Sequence, residues 1–311
     1  MTVNNTLTRP AAIAGIKPSR DASAGDVVLA YLRIQAHAVR TLESSVRADE
    51  YDAVHQMRVA TRRLRAALRV FGQVTDGEHL AGELQWLGRE LAAARDGEVL
   101  SRHLQDSLRP MSPELLIGPV QARIQGHYAP RRAAAHTALL ETLDSHRYQR
   151  LLAELDRLTA GPLQGPLAAA PARNVLPAAV RRAYRQAKRR IRRARHTPPG
   201  PARDVALHQA RKSARRARYA AETAIPAVGK PARKFAKQMK RVQSVLGEHQ
   251  DAVLARQEAR DLGIGAHLAG ENAFTYGLLH EHELHQAERL DTQAARVWRK
   301  AASRKHRRWM H

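Results

Sequence analysis

Two stretches of the 311-residue chain carry histidine and arginine at a spacing that can do chemistry. His55, Arg58, Arg62, Arg65 and Arg69 step by three or four residues, and His208, Arg211, Arg215 and Arg218 do the same. On an α-helix such positions fall on one face. Successive cations then sit about 5 Å apart along the axis. Like charges so placed destabilise an isolated helix by about a few tenths of a kcal/mol per pair. A helix that accepts this cost twice is built to meet anionic oxygens. Arginine suits the task, because its planar fork donates two parallel hydrogen bonds to phosphate or carboxylate. Each histidine stands among arginines that repel a divalent cation, so phosphate contact is preferred over metal ligation.

Those stripes need helices, and the same segments supply a packing face. Val54, Met57, Thr61, Leu64, Leu68 and Phe71 form a second, mostly apolar stripe, as do Leu207, Ala210, Ala214, Ala217 and Ala221. The two stretches are also related in sequence. His55, Gln56, Arg58, Arg62, Arg63 and Arg65 match His208, Gln209, Arg211, Arg215, Arg216 and Arg218 at a constant offset of 153. A second block follows in the same order: Leu84, Leu87, Leu91 and Asp96 match Met239, Val242, Leu246 and Asp251 at an offset of 155. An internal duplication is predicted. Arg63 and Arg216 lie off the main stripes. The expectation is that they pair across a helix interface with the matched acids, as Arg63–Asp96 and Arg216–Asp251.

The rest of the chain also reads as helix. Hydrophobic residues make up 43% but aromatics only 4%, and Ala and Leu outnumber the β-branched types, which favours helices over sheets. Helices are predicted over 26–47, 51–72, 78–108, about 113–158, 175–195, 202–224, 231–262 and 269–308. Thr75-Asp76-Gly77, Pro110 and Thr197 through Pro201 punctuate them. Residues 161–172 are rich in Pro, Gly and Ala and nearly uncharged. They predict a linker between helical halves 25–160 and 173–311, with 1–24 a flexible N-terminal segment.

Charge is distributed unevenly. Residues 1–170 hold 21 basic and 18 acidic side chains, whereas residues 173–246 hold 22 basic ones against Asp204 and Glu222 alone. With a formal charge of +24 overall, self-repulsion opposes compaction unless a polyanion offsets it. Lys237, Lys240 and Arg241, and the series Arg181, Arg185, Lys188, Arg192 and Arg195, extend the basic surface at helical spacing. Cysteine is absent, which removes disulfides, thiolate nucleophiles and iron–sulfur ligation. No apolar run approaches the roughly 18 residues of a membrane span, and the first twenty residues lack the apolar stretch of a secretory signal. A cytoplasmic protein is the expectation. Gly229-Lys230 is followed by Pro231, so there is no Walker loop. His280, His282 and His285 lack metalloprotease spacing and read as a solvated helical face. No cofactor and no metal are implied.

The blocks VHQMRVATRRLRAALRVF, LQWLGRELAAARDGEVL, LHQARKSARRARYAAE and MKRVQSVLGEHQDAVLA closely resemble the CHAD family, the conserved histidine α-helical domain, over nearly the whole chain. The resemblance implies an all-α fold of two four-helix bundles related by pseudo-two-fold symmetry. It also implies a basic surface between them that binds inorganic polyphosphate, without catalysis, at polyphosphate granules. The expected polyphosphate-binding residues are His55, Arg58, Arg62, Arg65, Arg69, His208, Arg211, Arg215, Arg218, Lys237, Lys240 and Arg241. Some members of the family carry a triphosphate-tunnel domain with an alternating Glu-x-Glu-x-Lys strand. Glu281-His282-Glu283-Leu284-His285 does not match it. The alternative is an RNA- or DNA-binding module, since any phosphate polymer satisfies a basic groove. Tyr184, Tyr219 and Phe235 are the only aromatics of the most basic stretch, too few for base stacking.

Overall fold

The computed structural model describes residues 22–311, so the flexible segment expected at the N-terminus lies outside the described residues up to Asp21. Helix α1 (Ala24–Arg47) opens on a capping box, in which the Ser23 hydroxyl accepts from Asp26 N–H and the Asp26 carboxylate accepts in return. There follow α2 (Ala53–Val70), the single turn α3 (Gly72–Thr75), α4 (Glu78–Leu108), α5 (Val120–Asp144) and α6 (His146–Ala160). The second half holds α7 (Ala172–His196), α8 (Pro201–Thr223), the turn α9 (Ile225–Val228), α10 (Lys230–Leu268), α11 (Phe274–Ala301) and the turn α12 (Arg304–Arg307). The fold is all-α.

Two sequence boundaries are corrected. The helix predicted over 113–158 is divided at Ser145, whose extended backbone ends α5 and whose hydroxyl accepts from Tyr148 N–H to start α6. The break predicted at residue 262 moves to the end of α10 at Leu268, because Gly270 at φ +75° supplies the left-handed turn.

Each half is a chain of antiparallel neighbours. In the first, α1 packs on α2, α2 on α4 and α4 on α5; in the second, α7 packs on α8, α8 on α10 and α10 on α11. Helices α2 and α8 meet between the halves. Residues 161–172 do not swing free. Gly25 N–H donates to Ala168 C=O and Leu167 N–H to Gln73 C=O, both at 2.8 Å, and Leu163 is buried. A Cβ at Gly165 would fall inside the Val74 backbone, so only glycine allows this approach.

Two main apolar cores result, beside a small cluster of Ala252, Val253 and Ala287. The larger joins Leu32, Met57, Leu64 and Leu87 to Leu176, Val180, Phe235 and Met239. The smaller joins the far ends of the long helices: Leu104 of α4, Ile124 of α5, Ala259 and Leu262 of α10, and Leu279 of α11. Helices α4 and α10 run through both cores, so the space left between the cores is held open by the longest elements of the fold.

Candidate functional site

That space is a cavity of about 750 Å³ lined by α2, α4, α5, α8 and α10. From α2 come His55, Arg58 and Arg62, and from α8 come His208, Arg211 and Arg215. A second, narrower cavity of about 250 Å³ shares Arg62 and Arg215 with the first and adds Arg65, Arg69, Lys212 and Arg216. The two adjoin at Arg62 and Arg215 and together form the candidate path along the α2–α8 interface. The apolar stripes explain the aim. Met57, Leu64 and Leu68 on α2, and Leu207, Ala210, Ala214 and Ala217 on α8, are buried, which leaves the cationic stripes facing each other.

Burial and mutual repulsion shape the electrostatics. Arg215 is pushed down to about 10, first by burial and then by the Arg62 guanidinium across the interface. Arg62 is lowered by burial in the same place. Burial and then Arg95 push His55 down to about 4, and burial with Lys212 and Arg211 lowers His208. Both histidines are therefore neutral at pH 7 in the free protein. In the narrow part burial, then Arg215, lowers Lys212, and burial, then Arg69, lowers Arg216. No carboxylate lines that part among the described residues. The Nε groups of Arg62 and Arg211 and the Nδ1 of His208 are buried without a protein partner. Gly247 of α10 faces Arg211, and a Cβ there would be in ordinary contact with its guanidinium at 3.4 Å.

The wide part is mixed. Asp96 lies 2.9 Å from Arg58, and Asp251, raised by burial, faces Arg211 and His103. Among the described residues no group of three His, Asp or Glu is placed to hold a metal ion. His280 Nδ1 lies 3.1 Å from the Arg256 carbonyl, and His285 sits between Glu281 and Glu288 on the surface.

Two expected ion pairs need correction. Arg63 does not pair with Asp96. It lies five residues beyond Arg58, about 140° round the helix, and reaches Glu222 of α8 at 3.5 Å. Arg216 does not pair with Asp251 either; its Nη1 donates to Gln186 Oε1 at 2.7 Å. Arg218 lines neither cavity; it donates to Glu222 at 2.7 Å and, at 3.2 Å, to Gln243 in the wall of the wide one. Lys237, Lys240 and Arg241 are exposed on α10 and line neither cavity. Conversely, Arg95 of α4, Arg131 and Arg132 of α5, and Lys212 and Arg216 of α8 line the path without having been chosen from sequence. Lys212 and Arg216 could have been found, since they continue a second helical row beside Arg211 and Arg215. Arg131 and Arg132 carry no such signal, as α5 has little amphipathic periodicity of its own.

No helix among the described residues is long and apolar enough to cross a membrane. Two uncharacterized proteins of Mycobacterium tuberculosis are each 38% identical over 262 residues, covering 83% of this chain and 50% of their own length. The chain thus spans about half the length of the curated relatives it matches. Among solved structures, PptA from Streptomyces chartreusis superposes with a TM-score of 0.72 at 23% identity, covering 88% of this chain and 99% of its own. The CHAD domain from the plant Ricinus communis superposes with a TM-score of 0.68 at 27% identity, covering 94% of this chain and 97% of its own. The CHAD domain family model matches residues 30–260. With its facing arginine stripes and this match over most of its length, the chain belongs to the CHAD domain family.

Proposed function

We propose that the chain binds inorganic polyphosphate along the α2–α8 path, without catalysis, and associates through it with polyphosphate granules in the cytoplasm. One observation carries the reading: Arg62 and Arg215, from opposite halves, stand half-buried side by side at the junction of the two cavities. Two half-buried guanidiniums in mutual repulsion are unfavourable in the free protein and become favourable when anionic oxygens enter between them. A thin, unbranched polyanion suits a recessed path. Only Tyr128 and Tyr219 add aromatic rings to its walls, which offers single-stranded nucleic acid little stacking.

The carboxylates support a binding role. Hydrolysis of a phosphoanhydride needs carboxylates free to hold Mg²⁺. Of the four carboxylates lining the wide cavity, Asp96 is engaged by Arg58, Glu98 by Arg102 and Glu258 by the Tyr128 hydroxyl, and burial favours the neutral form of Asp251. We further propose that the two halves descend from one duplicated unit of four helices, with α2 and α8 as corresponding elements and 161–172 as the connection. Lys237, Lys240 and Arg241 remain part of the proposal only as a surface outside the path. The test compares affinity for polyphosphate, tRNA and duplex DNA in one buffer at fixed salt. Preference for polyphosphate, abolished by Arg62→Gln with Arg215→Gln, supports the reading. Tighter binding of tRNA or duplex DNA overturns it in favour of a nucleic-acid module.

A further inference from the structure

Helix α7 carries ten Lys and Arg residues and no carboxylate. None of these cations pairs with an acid elsewhere among the described residues; every ion pair of the fold lies outside α7. The helix buries Leu176, Val180, Ala183 and Ala187 on one side, and Arg182, Arg189 and Arg193 are exposed on the other. Arg182, Gln186, Arg189, Arg190 and Arg193 fall within one face at steps of four, three, one and three. That row spans about 16 Å of helix at 1.5 Å per residue.

The row joins the site. Gln186, in its middle, accepts the 2.7 Å hydrogen bond from Arg216 at the wall of the narrow cavity. Arg190 stands close enough to Arg216 to lower its proton affinity along with Arg69. A polyanion that passes Arg69 and Arg216 therefore meets Arg190 next, and Arg182, Arg189 and Arg193 flank that point on open helix surface.

We infer that this row of α7 is an outer track on which a polyphosphate chain continues after leaving the narrow cavity. The inference rests on the proposed polyphosphate reading of the path. Its consequence is a preference for long chains that originates outside the cavities. A chain short enough to lie within the path makes no use of α7. A longer one gains up to four further phosphate contacts, and with them released counter-ions.

The test measures affinity and salt slope for a short and a long linear polyphosphate on the full chain. Wild type is compared with a variant in which Arg182, Arg189, Arg190 and Arg193 are all Gln. Exposed helix positions accept Gln readily, and circular dichroism checks the fold. A control removes the same charge elsewhere, through Gln at Arg150, Arg157, Arg289 and Arg296, which are exposed on α6 and α11. The expected result is short-chain affinity within about twofold of wild type, a tenfold or greater loss on the long chain, and a long-chain salt slope flatter by roughly two to three units. Equal losses on short and long chains overturn the track, and so does an equal loss in the control, which would show a net-charge effect. Turbidity of the long-chain mixture that the α7 variant alone abolishes, with its one-to-one affinity kept, would mean that the row grips a second chain, and also overturns it. Wild type that binds neither chain refutes the path itself, whereas wild type that binds both chains equally refutes only the track.

Discussion

Histidines 55 and 208 occupy matched places at the start of the two stripes, and their chemistry is set by what surrounds them. His55 faces Arg58, Arg62 and Arg95 with Asp52 in partial opposition; His208 faces Arg211, Lys212 and Arg215 beside Gln250. A histidine held near 4 when folded and about 6.5 when unfolded binds fewer protons in the native state between those values. Stability is then highest above about pH 6.5 and falls as pH drops toward 4. Bound phosphate reverses the local field and favours protonation. Polyphosphate affinity is therefore expected to change little from pH 8 to 7 and to tighten on acidification toward pH 5. The histidine-dependent part of that slope vanishes in His55→Ala with His208→Ala. A double variant with the wild-type slope would show that neither ring meets phosphate. The carboxylates act in the opposite sense. Asp96 competes with ligand for Arg58, and its side chain is 67% exposed, so the pair contributes only about 1 kcal/mol. Asp96→Asn should tighten polyphosphate binding by about fivefold and leave the melting temperature nearly unchanged; titration and thermal melts decide it.

At the scale of the element, α2 and α8 were legible because each carries two stripes, one apolar and one cationic, whose angular separation follows from the helix repeat alone. The sequence could not show which cations on the edges of the stripe turn inward. Arg218 continues the series arithmetically, yet Glu222, one turn later on α8, captures it at 2.7 Å. Arg63 reaches the same carboxylate from α2. With side chains only 12% and 7% exposed for Arg63 and Glu222, this clasp locks the two central helices together. Glu222→Gln leaves two guanidiniums confined without a counter-charge, and a loss of about 3 kcal/mol of stability is expected, read by chemical denaturation. Binding should be measured under conditions where the variant is folded, and there it should change less than stability. The path itself is lined by both stripes. Arg58→Gln with Arg62→Gln and Arg211→Gln with Arg215→Gln should therefore weaken polyphosphate binding to the same extent, within about threefold. The uneven charge along the sequence points instead to a dominant second half, but Lys237, Lys240 and Arg241, which belong to that excess, line neither cavity.

At the scale of the whole molecule, the proposed duplication sets two central pairings of α2 with α8 against each other. An offset of 153 places Arg63 opposite Arg216 and Glu222 opposite Arg69. The first pairing across the centre is thus arginine with glutamate, Arg63 to Glu222, buried and neutralised. Its counterpart is arginine with arginine, Arg216 beside Arg69, where each opposes the other's charge and the narrow cavity forms. On the proposed duplication, one difference between matched positions, Glu222 against Arg69, separates an ion pair from a like-charge contact, a difference that composition and spacing alone do not reveal. Arg69→Glu should restore the missing partner. It replaces a like-charge contact with an opposite one at the cavity wall, so the melting temperature should rise. Polyphosphate affinity should fall further than in Arg69→Gln, because a carboxylate then competes with phosphate for Arg216. A glutamate variant no more stable than the glutamine variant would break the correspondence between residues 69 and 222. If both variants bind as wild type does, the narrow cavity is not on the path of the chain.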